Sequence, residues 1–168
     1  MIATGVFAST DRQAPPARSA YDRPAEVLAV LQHARAVVEA GWVQNRWTTR
    51  PAPQPAVRSR PSGTVGTADP VAGACVVAAV ALAVRARDPR ADLAVATGPA
   101  LAHLWDAVHG DPRFRAGGRA APHDVRIARM RELARWNDEP GRTRADVVAA
   151  LDRAAALLVA RTVDPARV

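Results

Sequence analysis

Between Val71 and Val84 the chain reads VAGACVVAAVALAV, with no charged or strongly polar side chain in the run. A helix that is apolar on every side has to be enclosed on every side. The stretch is too short for a bilayer span, which takes about 18 or more such residues. It therefore predicts a buried helix over about 70–86. Asp69 and Pro70 would open it as N-cap and first-turn proline. Arg85 and Arg87 would close it, favoured by the negative end of its dipole. The rest of the fold has to cover this segment.

Amphipathic helices supply the cover. Val27, Leu31, Ala34 and Val38 recur at helical spacing and predict a helix over about 24–40, with Asp22 as N-cap and Gly41 as a stop. Leu101, Leu104, Trp105 and Val108 mark another over about 99–109. Ile127, Met130, Leu133 and Ala134 mark one over about 123–136, and Val147, Leu151, Ala154 and Leu158 one over about 144–160. Trp42 to Thr49 (WVQNRWTT) has strand-favouring residues and predicts a short extended piece at 42–49. The expected fold is all-α: one small domain of about five helices around a central apolar one, spanning 23–162.

Two segments lack any usable period. Residues 1–22 read as a disordered tail, and residues 50–69, with four prolines and two glycines, as a flexible loop. The N-terminus has no basic region ahead of its short apolar run, which argues against a secretory signal. A soluble, cytoplasmic protein is the expectation.

The formal charge is +7, and all 23 basic residues are arginine. In a chain this rich in alanine, proline and valine, the absence of lysine follows a GC-rich codon bias, so part of the charge carries no message. What remains still makes an acidic partner or a nucleic acid worth testing. Arg126, Arg129, Arg131, Arg135, Arg142 and Arg144 form the best candidate phosphate-binding face. A helix-turn-helix fits poorly: the intervening turn is long, and the last helix exposes Asp146, Asp152 and Arg153 with no Asn, Gln or Ser to read bases.

The single cysteine, Cys75, rules out an internal disulfide and a cysteine-rich zinc site. Gln44, then Cys75, then His103, His109 or His123, then Asn137 or Asp138 follows the chain order of papain-like thiol proteases. That chemistry needs a thiolate, a base, a group to orient the base and an oxyanion donor. The papain cysteine signature is missing, and burial in an apolar helix raises a thiol pKa. A helix starting near Gly73 rather than Pro70 would put the thiol at the positive end of the dipole. His103, Asp106 and His109 share part of one helix face, with His123 as a possible fourth ligand, but their spacing makes a poor metal chelate. No cofactor is expected.

WNDEPGRT, Trp136 to Thr143, reads best as a corner between the last two helices. Pro140-Gly141 is turn punctuation. Thr143 with Asp146 three residues on resembles a capping box with Asp in place of Glu or Gln. Asn137 is a residue type that tolerates a helix end, and Trp136 can close the end of the bundle.

The order GW-x-Q (Gly41, Trp42, Gln44), then Cys75 and Ala79 in an alanine-rich segment, then WND-x-P-x-R-T (Trp136, Asn137, Asp138, Pro140, Arg142, Thr143), then LDRA (Leu151 to Ala154) resembles a family of small actinobacterial proteins of unknown function. The likeness runs over about 24–160. The family's C-A-x-G-A is replaced here by Cys75-Val76-Val77-Ala78-Ala79. The resemblance implies no activity. The functional expectation is a non-enzymatic binding module with a protein partner. A cysteine-dependent hydrolase or transferase and a nucleic-acid-binding protein are the alternatives.

Overall fold

A computed structural model of the chain describes residues 20–50, 71–110 and 121–163. Most of the expected tail and nearly all of the expected 50–69 loop therefore lie outside the described residues. Ala20–Asp22 form a single 3-10 turn, from which Tyr21 packs on the core and donates its hydroxyl to Asp88 at 3.2 Å.

Five helices of twelve residues or more follow: α1 (Pro24–Ala40), α2 (Val76–Arg87), α4 (Gly98–His109), α5 (His123–Asn137) and α6 (Arg144–Val163). A four-residue turn of helix, α3 (Leu93–Ala96), leads into α4. Asp92 caps α3 by accepting from the Ala94 N–H at 2.9 Å. The protein is one small helical domain. No helix among the described residues is long and apolar enough to cross a membrane.

The apolar stripes do what their spacing predicts. Val27, Leu31, Ala34 and Val38 are buried on α1, as are Leu101, Leu104 and Trp105 on α4 and Val147, Leu151, Ala154 and Leu158 on α6. Helix α1 lies against α2, α4 and α6. The start of α2 is enclosed from Val76 through Val80, and Ala81 and Leu82 after it are half-buried. Helix α5 departs from its pattern: Leu133 is buried, but Ile127, Met130 and Ala134 are only half-buried, while Arg129 and Asn137 go inside.

Three local expectations need correction. Helix α2 starts at Val76, not near Pro70, because the residues before it are drawn into extended pairing. Strand β1 (Thr48–Thr49) runs antiparallel to β2 (Gly73–Ala74), the Ala72 N–H donates to Thr49 O, and the Ala74 N–H donates to Gly41 O. Gly41 ends α1 in extended backbone, not in a left-handed turn. A side chain there would put its Cβ 1.9 Å from Ala72 O, so glycine is required by close approach. Arg23, not Asp22, occupies the N-cap of α1, and it makes no side-chain cap bond.

Candidate functional site

The corner WNDEPGRT and the segment WVQNRW close on each other at the start of α2. Asn137, the last residue of α5, is completely buried, and all of its side chain is engaged. Its Oδ1 accepts from Trp42 Nε1 (2.8 Å) and from the Val76 N–H (3.1 Å). Its Nδ2 donates to Val43 O (3.1 Å) and to Asp138 Oδ1 (2.8 Å). A primary amide is the side chain that can accept twice and donate twice in one plane. The Val76 N–H is one of the donors that a helix N-terminus leaves without an internal partner, so Asn137 also helps to cap α2.

The neighbours complete the joint. Gln44 Nε2 donates to Asn137 O and Glu139 O, both at 3.0 Å. Asp138 Oδ1 accepts from the Asn45 N–H at 2.8 Å. Asn45 takes a left-handed backbone (φ 58°), a conformation asparagine tolerates better than most residues. After that turn, Arg46 and Trp47 are exposed, while Trp47 O accepts from the Cys75 N–H at 2.9 Å. Trp47 is 56% exposed, the largest side chain in the described surface to be so uncovered.

Cys75 is the N-cap of α2, its Sγ accepting from the Ala78 N–H at 3.5 Å. The thiol is thus at the positive end of the dipole after all. Even so, burial pushes its pKa up, and this outweighs the lowering by the Ala78 and Val77 N–H groups; Asp138 nearby adds to the rise. Asn45, Arg46, Trp47, Cys75, Ala134 and Asp138 line a shallow depression of about 340 Å³.

Gln44, Cys75, Asn137 and Asp138 therefore come together, but the histidines do not join them. His103 lies with Nδ1 3.4 Å from the Arg161 guanidinium, and burial followed by Arg161 lowers its pKa. His109 stacks on Trp105 with ring centroids 4.5 Å apart. His123 opens α5 and Asn137 ends it, which separates them by about 20 Å at 1.5 Å per residue. Gln44 and Asn137 spend their amides on the joint, so neither is free to hold an oxyanion or orient a base. Asp106 pairs with Arg161 at 3.1 Å. Among the described residues no three His, Cys, Asp or Glu side chains converge as a metal site would require.

The six arginines do not make one face. Arg129 is buried with its guanidinium 5.2 Å from the centre of the Trp105 ring. Arg142 lies over Trp136 at 4.4 Å, donates to Trp136 O and pairs with Glu139. Arg126 donates to Ala121 O, and Arg144 to Glu39 O. Arg131 and Arg135 are exposed.

Residue-type reasoning missed Trp42 as Asn137's partner and Trp47 as an exposed aromatic. The signal was two tryptophans five residues apart in a chain that has four. No curated protein and no solved structure matches the chain. A family model, however, matches residues 22–157, from the turn before α1 to within α6, and so takes in both halves of the Asn137 joint. The chain belongs to DUF6197, a family of unknown function.

Proposed function

We propose that the protein is a non-enzymatic binding module whose contact surface is centred on Trp47. The observation that carries this reading is an exposed tryptophan on a backbone that is fixed on both sides. Residues 42–49 are tied to α5 and β2 by Trp42, Val43, Gln44, Asn45, Trp47 and Thr49. Large exposed apolar side chains are common singly, but tryptophan and arginine dominate binding hot spots, and Arg46 is adjacent. A surface that is already ordered loses less entropy on binding. A thiol enzyme is less well supported, because Cys75 is buried and its pKa is raised.

The test compares three baits in an extract of the native host: the unaltered chain, Trp47→Ala and Val159→Ala. Val159 is also exposed, on α6, and serves as the control. A partner retained by the unaltered chain and Val159→Ala but lost from Trp47→Ala supports the proposal. Equal retention by Trp47→Ala overturns it.

A further inference from the structure

We infer that a separate groove, between α1, α2 and β2, binds a small amphipathic acid: one carboxylate on a short apolar tail. The groove has a volume of about 340 Å³, within the roughly 300–1,000 Å³ of small-molecule sites. Helices α1 and α2 run antiparallel along it. Glu26 near the start of α1 pairs with Arg87 at the end of α2 (2.7 Å), and Gly41 after α1 meets Ala72 before α2. His33, Val37 and Ala40 share one face of α1, and Leu82, Arg85 and Ala86 share one face of α2. Ala40 stands about 10 Å beyond His33 at 1.5 Å per residue. The groove is therefore polar toward His33 and Arg85 and apolar toward Ala40, Val71 and Ala72. Val37 lies between, and Leu82 adds to the apolar wall.

Charge decides which head group fits. No Asp or Glu lines the groove among the described residues, whereas Arg85 does. The carboxylates nearest along the two helices are spent elsewhere: Glu26 on Arg87, Glu39 on Arg35, and Asp88 on the Tyr21 hydroxyl and the Arg90 N–H. Arg85 gives one N–H to Pro89 O at 2.5 Å, and its other donors have no partner among the described residues. His33 is exposed, and its imidazole likewise has no partner there. A guanidinium and an imidazole N–H together complement a carboxylate. The far end complements hydrocarbon: Val71 is 40% exposed, and covering it removes apolar surface from water. Octanoate, fully extended, spans about the distance from His33 to Ala40.

Titration of the full chain with octanoate, followed by amide chemical shifts, tests the inference, with octylammonium as the probe of opposite charge. The expected result is saturable binding of octanoate, with shifts concentrated at 33–41, 71–73 and 82–86. Octanoate should bind about threefold to fivefold more tightly than octylammonium, the scale of one exposed ion pair. Arg85→Glu should reverse that order. Ala40→Trp should abolish binding of both by filling the apolar end, and Trp47→Ala should change neither. Ala40 and Arg85 are exposed, and unchanged thermal melts would show that the variants fold. Equal binding of the two probes, or an order that survives Arg85→Glu, overturns the carboxylate head. Shifts elsewhere, no saturation, or binding indifferent to Ala40→Trp overturns the groove as the site. Loss of octanoate binding in Trp47→Ala overturns it too, in favour of the Trp47 surface.

Discussion

Within eight residues WNDEPGRT makes two polar clusters of opposite kinds. At Asn137 the central side chain is fully buried, and its partners, Trp42, Val43 and Val76, are 61 to 95 positions away in the chain. At Thr143 it is exposed and local: the Thr143 N–H donates to Asp146 Oδ2 at 2.9 Å, and the Asp146 N–H donates to Thr143 Oγ1 at 3.2 Å. Gly141 turns the chain between them with a left-handed backbone (φ 83°) that few other residues adopt cheaply. The local cluster is a capping box with Asp at its third position, and it starts a helix. The buried cluster joins α5, α2 and the 42–47 segment. Similar bonds have different worth, because water replaces the partners of an exposed group and cannot reach those of a buried one.

The largest expected effect tests that difference directly. Asn137→Ala leaves the buried Val76 N–H and the half-buried Trp42 N–H and Val43 O without their partner, at about 1–3 kcal/mol for a fully buried group and less for the other two. A total loss of about 3–5 kcal/mol in denaturant melts is expected. A loss below about 1 kcal/mol would mean that the joint contributes no more than the exposed cap.

Gly41→Ala should come next, at about 1–3 kcal/mol, because the new Cβ meets the backbone oxygen of Ala72 and not the yielding end of a side chain. Amide exchange should quicken at Ala72 and Ala74 in the same variant. Unchanged protection would show that β2 does not depend on this close approach.

Trp42→Phe keeps most of the ring and removes only the N–H to Asn137, so about 1–2 kcal/mol is expected. If Trp42→Phe and Asn137→Ala are combined, the losses should fall short of their sum, since both remove the same bond. Strict additivity in that double-mutant cycle would break the claim that the two side chains act together.

The smallest effect belongs to the cap. Thr143→Ala should cost about 0.5–2 kcal/mol. The Thr143 hydroxyl, then its backbone N–H, hold the Asp146 carboxyl below the usual carboxylate range. A pKa lower in the folded state than in the unfolded one adds stability above the unfolded value, near pH 4, and that stability is lost as pH falls through the folded value. Urea melts from pH 6 down to pH 3 should show a shallower acid loss in Thr143→Ala than in the unaltered chain. Parallel curves would exclude Asp146 as the source.

What could be read from the residues divides along the same line. The span of α1, the stripes of α4 and α6 and the Thr143–Asp146 cap all rest on partners within about four residues, and each appears where its pattern predicts. The candidate site was legible only as a set of names. Gln44, Cys75, Asn137 and Asp138 do meet, but residue order suggested catalysis, whereas the hydrogen bonds spend Gln44 and Asn137 on holding the chain together.

The sequence by itself determined that this protein is helical, which segments carry core faces and where the last helix begins, because helical periodicity and capping are local physics. Only the tertiary structure decided that 71–75 leave the apolar helix for extended pairing and that Cys75 becomes its cap. It also decided that Asn137 is buried and that Trp47 is left outside. Those outcomes depend on residues 41–49 finding hydrogen-bond partners in 72–75 and 137–139, and on the Val76 N–H finding Asn137. Such pairings become favourable only once packing has closed the long loops between them and excluded the water that would compete.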